Sequence, residues 1–173
     1  MHFTPTTIDD LPVIRELFAA AIAYQKVKFG KHWHGLNEAQ LLSEIDNHLH
    51  WKIVETDAIG AFFSIAFTDE LIWEERDSEP AVYLHRIVTN PLYRGKGYVG
   101  AITNWAENFG RAAGKRFVRL DTDVDNSRLN VYYREHGYVF CGVKKFTDKD
   151  RANINIPLHY FGSGLSLFER AIT

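Results

Sequence analysis

Arg94, Gly95, Lys96, Gly97 and Gly100 fall within one short stretch, YRGKGYVG, in a chain of 173 residues. Glycines free of a Cβ let backbone N–H groups approach a ligand closely. Val99, Ile102, Trp105, Ala106, Phe109 and Ala113 follow at helical spacing, so a helix starts inside the stretch. A helix start carries unpaired N–H groups and partial positive charge. Together with the full charges of Arg94 and Lys96 this makes a cradle for an anion, most often phosphate. Groups able to move protons lie on either side, Glu79 and His85 before it and Tyr133 after it, while Asp121 and Asp123 could hold Arg86 or Arg119 or serve a loop, and Tyr132 reads as packing.

The elements that must hold these residues are legible from pattern. Val82 to Thr89 is a β-branched, apolar run closed by Asn90-Pro91, which predicts a strand entering the cradle. The cradle helix runs to about Ala113 and ends at Gly114. Phe117–Val124 is the next strand, with Val118, Leu120, Thr122 and Val124 on one face and Asp121 and Asp123 on the other. Asn126 caps a short helix that Gly137 stops, and Tyr138–Phe146 is a strand. Upstream, Phe3-Thr4 starts a strand. Thr7 or Asp9 caps a helix to about Phe29, with Pro12 in its first turn. Gly30-Lys31 and the residues to Gly35 break that helix, and Asn37 caps a second one. Trp51–Glu55 and Ala58–Phe67 form a hairpin across Thr56-Asp57. Thr68–Pro80 and Thr147–Asn155 read as polar loops, and Leu165–Ala171 as the last strand. The order β-α-α-β-β-β-α-β-α-β-β is α/β in class. The Val82 and Phe117 strands bracket a helix and are expected to lie parallel.

Gly95-Lys-Gly97-Tyr-Val-Gly100 matches G-x-G-x-x-G, and Asp121 follows at the distance a dinucleotide fingerprint requires. Against a Rossmann-type oxidoreductase, five residues separate strand from first glycine, and the second mononucleotide half has too little chain. A P-loop lacks its first glycine and its Ser or Thr after the lysine.

The unit Asn90-Pro-x-Tyr-Arg-Gly-Lys-Gly97 resembles the pyrophosphate-binding segment of the GNAT superfamily of acetyl-CoA-dependent N-acetyltransferases. The family pattern Gln/Arg-x-x-Gly-x-Gly/Ala falls on Arg94, Gly97 and Val99, where valine replaces a small residue. A second segment, Asn126 through Tyr133 to Gly137-Tyr138, is similar to the family's Asn…Tyr-x-x-x-Gly-Phe/Tyr pattern. The likeness covers essentially the whole chain as one domain, 1–173. It implies a mixed, mostly antiparallel central sheet with a parallel pair at the cofactor site and helices on both faces.

The resemblance also implies roles. Acetyl-CoA is the co-substrate, and its acetyl group moves directly to a primary amine of a small molecule or peptide. The diphosphate is cradled by Arg94, Gly95, Lys96, Gly97, Tyr98, Val99 and Gly100. Ile87, Val88 and Thr89 align the pantetheine arm, with the Val88 N–H on the thioester carbonyl. Asn126 touches the cofactor or only caps its helix. Tyr133 is the general acid; as a side chain it equally suits packing on the core. His85, with an unperturbed pKa near ~6.5, is the candidate base, as in some relatives, the arylalkylamine acetyltransferases among them. Trp33, His34 and Tyr160 are expected around the acceptor. A non-catalytic acyl-CoA-binding sensor is the alternative within the same fold.

Composition bounds the rest. Cys141 is the only cysteine, which fits a reducing cytoplasm and leaves no cysteine-based metal site. The histidines lack zinc spacing, and no metal is expected. A net charge of −2 argues against a general nucleic-acid binder, and no apolar run suits a membrane span. A homodimer is compatible with the resemblance. The acids between Thr68 and Pro80 suggest a cationic acceptor or a plain solvated surface.

Overall fold

The computed structural model describes residues 1–29, 32–56, 58–153 and 156–173. Gly30-Lys31 of the expected helix break, Asp57 of the expected tight turn and Asn155 of the expected late loop lie outside the described residues. The elements in chain order are β1 (His2–Pro5), α1 (Leu11–Phe29), α2 (Glu38–Asp46), β2 (His50–Glu55), β3 (Ala58–Ala66), α3 (Glu70–Trp73) and β4 (Ala81–Thr89), then α4 (Tyr98–Ala112), β5 (Phe117–Asp123), α5 (Ser127–Glu135), β6 (Val139–Lys144) and β7 (Leu165–Ala171). The chain forms two compact units, Met1–Ala66 with Leu84–Ile102, and Phe67–Tyr83 with Thr103–Thr173. Both β4 and α4 begin in one unit and end in the other. Among the described residues no helix is long and apolar enough to cross a membrane.

In the first unit the strands follow the order β1-β2-β3-β4. β1 and β2 pair antiparallel with Phe3 opposite Ile53, and β2 and β3 with Trp51 opposite Phe63. Four elements contribute a core of Leu11, Ile14, Leu17, Phe18, Leu41, Ile45, Ile59, Phe62 and Val88. The apolar faces of α1 and α2 thus meet β3 and β4, as amphipathic spacing requires. Asn37 caps α2 by accepting from the Gln40 N–H at 3.1 Å.

In the second unit the order is β4-β5-β7-β6. β5–β7 and β7–β6 are antiparallel; β4 and β5 are the one parallel pair of a mostly antiparallel sheet. A doubly wound dinucleotide fold is built on a mostly parallel sheet, and with β5–β7 and β7–β6 antiparallel the G-x-G-x-x-G match does not sit in that fold. Val118, Leu120 and Thr122 face inward as the alternation predicts.

The stretch Thr68–Pro80 is not an open loop. It folds into α3 and a 3-10 turn at Glu74–Ser78, because Ile72 and Trp73 are buried there. Its acids are largely spent inside the unit. Glu79 pairs with Arg119 at 2.5 Å, Glu74 with Lys144 at 2.5 Å, and Asp77 accepts the Asp69 N–H at 2.7 Å. Arg119 is fully buried and held also by Glu169 at 2.7 Å and the Tyr83 hydroxyl at 3.0 Å. Among the described residues Arg119 ion-pairs with Glu79 and Glu169, and Arg86 with Glu44. Thr147–Asn155 likewise contains a 3-10 turn, Asp148–Ala152.

Candidate active site

The anion cradle lies in the first unit and starts from one asparagine. The Asn90 N–H donates to Gly60 O at 2.8 Å and its side-chain amide to Ile59 O at 2.9 Å. Its Oδ1 accepts the Leu92 N–H at 3.0 Å, turning the chain into a 3-10 turn at Pro91–Tyr93. The end of β4 is thereby pinned to β3 while the next residues bend away. Gly95 and Gly97 take φ of +83° and +70°, a region costly for residues with a Cβ. A Cβ built on either would meet nothing within 4 Å. Handedness, not crowding, therefore requires glycine, and the space above the bend is open.

α4 begins at Tyr98, and the Ala101 N–H closes the first turn on Gly97 O at 3.1 Å. Helix geometry directs the first-turn amides out of the N-terminus, where anions are favoured. Tyr98 itself is buried against Gly60, and burial, then the nearby Glu55 carboxylate, push its phenol up to about 12. Its ring anchors the helix start rather than facing solvent.

Arg94 and Lys96 stand exposed on the bend. Neither has a carboxylate within 4.0 Å among the described residues, whereas Arg86, Arg119 and Lys144 are all ion-paired. The Arg94 guanidinium lies 4.7 Å from the Tyr24 ring of α1. Face stacking on an aromatic leaves the edge N–H donors of arginine available to an anion.

Immediately before the cradle, β4 is not regularly extended. Arg86 has φ of +50°, in the left-handed region, so the backbone that follows is turned away from a regular strand path. The regular extended path of β4 is therefore interrupted at Arg86. Val88 turns its side chain into the core of the unit. Burial, then the Arg86 charge, lower the His85 pKa to about 4, so its imidazole is neutral at physiological pH.

Trp33 stacks on Phe18 with centroids 5.1 Å apart, and its N–H donates to Gln25 at 3.0 Å. The His34 ring lies 5.2 Å from that of His32.

The second unit holds the remaining expected residues. Asn126 caps α5, accepting the Leu129 N–H at 3.2 Å. Tyr133 is buried between Tyr138 and Phe168, with ring centroids 5.7 and 5.6 Å away. Burial pushes its phenol well above the ordinary range, so it holds its proton firmly. Tyr132 stacks on His136 at 3.9 Å. Tyr160 stacks on Phe146 at 5.9 Å.

Two groups stand out that sequence reasoning did not select. Asp69 and Asp121 have carboxylate oxygens within 4.8 Å of one another. Burial first, then a neighbouring carboxylate (Asp77 for Asp69, Asp69 for Asp121), raises both to about 7. The sequence signal was only the outward face of β5; the raised pKa depends on the α3 segment folding over it.

A family model described as the acetyltransferase (GNAT) family matches residues 15–138. The uncharacterized N-acetyltransferase YesJ of Bacillus subtilis (strain 168) is 24% identical over 98% of this chain and 89% of its own. Among solved structures, a GNAT-family acetyltransferase from Listeria monocytogenes 4b F2365 has a TM-score of 0.78 and 22% identity, covering 98% of this chain and 94% of that one. The Salmonella typhimurium protein yncA, solved with its cofactor acetyl-CoA, has a TM-score of 0.69 and 11% identity, covering 100% and 94%. With the glycine-broken bend before α4 and a family model spanning most of its length, this chain belongs to the acetyltransferase (GNAT) family.

Proposed function

We propose that this chain moves the acetyl group of acetyl-CoA directly to a primary amine of a small-molecule or peptide acceptor. The observation that carries this reading is the bend at Arg94–Gly100: a helix N-terminus, two left-handed glycines and two cations without a carboxylate partner among the described residues. That donor set suits a diphosphate. A neighbour of the same fold solved with acetyl-CoA supports the choice.

When bound, acetyl-CoA supplies an activated thioester. Arg94, Lys96 and the amides from Gly95 to Gly100 hold its diphosphate. The backbone of Ile87, Val88 and Thr89 aligns the arm, and the Val88 N–H polarises the carbonyl, where a preorganised donor is most effective. Tyr133 is the proton donor to the departing thiolate; burial keeps its phenol protonated at neutral pH while making it a weaker acid than in water. Burial also raises the Cys141 pKa, leaving a thiol that is a poor nucleophile, which favours direct attack by the amine over a covalent intermediate.

A base works best with a pKa near the operating pH. Asp121, at about 7, fits that demand more closely than His85, at about 4. In this reading His85 serves as a neutral hydrogen-bond acceptor. Trp33, His34 and Tyr160 are the residues proposed to meet the acceptor.

Calorimetric titration with CoA and thiol release against a panel of amines test the proposal. Wild type should bind CoA, and the Arg94→Ala, Lys96→Ala double variant should lose at least about tenfold in affinity and part of its salt dependence. Binding of NAD in place of CoA would overturn it. CoA binding without thiol release for any amine would leave the sensor reading standing instead.

A further inference from the structure

Arg86 is the one residue of β4 in the left-handed region, at φ +50°. A non-glycine residue persists there only where its surroundings enforce it. Its side chain is enclosed by a closed ring of polar contacts. The guanidinium donates to Glu44 of α2 and, at 2.8 Å, to the Ser64 hydroxyl of β3, which in turn donates to Glu44 at 2.8 Å. Ser64 is fully buried, and only 21% of the Arg86 and 13% of the Glu44 side chain is exposed. Glu44 is itself braced by Gln40 at 3.0 Å. Downstream, Asn90 fixes the other end of the segment to Ile59 and Gly60. Ile87, Val88 and Thr89 therefore lie between two anchors on the same neighbouring strand, Ser64 on one side and Ile59-Gly60 on the other.

We propose that Arg86, through Glu44 and Ser64, is a positioning residue that holds β4 in its left-handed turn and so aims the peptide groups of Ile87 and Val88. The catalytic consequence rests on the proposed acetyl transfer; the backbone consequence does not. Without the clamp, the side chain no longer repays the left-handed backbone, and residue 86 relaxes toward extended geometry. Glycine at the same position needs no clamp, because it occupies that region freely.

The test uses Glu44→Ala, remote in sequence from the left-handed turn, and the double variant Glu44→Ala, Arg86→Gly. In the free protein, the amide resonances of Val88 and Thr89 should move in Glu44→Ala and return toward their wild-type positions in the double variant. With acetyl-CoA and an acceptor amine, kcat should fall at least about tenfold in Glu44→Ala while CoA affinity stays within about threefold. The double variant should recover most of that loss. A clamp that merely stabilises the fold would lower Tm in both variants and give no recovery with glycine, which overturns the inference. Should Glu44→Ala fail to fold, Glu44→Gln keeps the shape, removes the charge and is read the same way. If wild type shows no turnover, the acetyl-transfer reading fails, and the Val88 and Thr89 resonances alone decide the clamp: resonances unmoved by Glu44→Ala, or not restored by glycine, refute it.

Discussion

A phenol packed among aromatic rings and a carboxyl crowded by a second carboxyl depart from their solution behaviour in the same direction. Both prefer the protonated form. For Tyr133 the consequence is a donor that is never lost near neutrality. Tyr133→Phe is expected to lower kcat about a hundredfold, the usual scale for one general acid, with CoA affinity little changed. Equal turnover in the two proteins would remove Tyr133 from the reaction. For Asp121 the consequence is a titration close to working pH. A base must be unprotonated, so kcat/KM should rise with pH through about 7. Asp121→Asn should flatten that limb, whereas His85→Gln should leave it in place, because His85 titrates near 4. A limb abolished by His85→Gln alone would reassign the base. The resemblance to the family's Asn…Tyr-x-x-x-Gly-Phe/Tyr pattern already singled out Tyr133. It could not mark Asp69 and Asp121 as partners, since 52 positions separate them in the chain and only folding brings them together.

At the scale of elements, the start of α4 is fixed by a side chain pointing backwards into β3. An ideal Cβ on Gly60 would come within 2.4 Å of the Tyr98 hydroxyl. Gly60→Ala should therefore cost about 1–3 kcal/mol by overpacking and weaken CoA binding, because the displaced residue is the first of the cradle helix. Adding Tyr98→Phe should restore part of both by removing the clashing oxygen. Denaturant melts and calorimetry check this; an alanine tolerated without loss would show that the contact has slack. Helix and strand boundaries were readable wherever a cap or glycine marks them, as at Asn37, Asn126, Gly114 and Gly137. Reading failed at Thr68–Pro80, where polar composition suggested a loop. Isolated helices of four residues are not stable in water, so α3 exists through the burial of Ile72 and Trp73, which composition does not reveal.

For the molecule as a whole, the buried ionisable groups divide by unit. In the first, burial, then Arg86, lower His50 to about 3 and His85 to about 4. Unfolded, both bind protons near ~6.5. Between roughly these values the unfolded chain carries more protons, so this unit loses stability as pH falls from about 6.5 toward 4. In the second, Asp69 and Asp121 titrate at about 7 when folded against ~3.9 unfolded. Here the folded form carries more protons, and stability declines as pH rises from about 4 to 7. Hydrogen exchange resolved by segment, corrected for the intrinsic pH effect, should show protection of β1–β3 falling on acidification and protection of β5–β7 falling toward pH 8. Asp121→Asn should restore the latter. Parallel loss in both units would contradict this account.

The sequence by itself settled the chemistry on offer and its local stage. The identities and spacing of Arg94, Gly95, Lys96 and Gly97, set between an apolar run and a helical one, specify a basic, glycine-broken bend before a helix from information within a dozen residues. The fold class followed from the order of such local signals. Tertiary structure decided what those groups are able to do. The left-handed turn at Arg86 depends on Glu44 and Ser64, the freedom of Arg94 and Lys96 on where carboxylates lie in space, and each shifted pKa on burial by remote segments. Those are sums over neighbours brought together by the fold, and no window of the chain contains them.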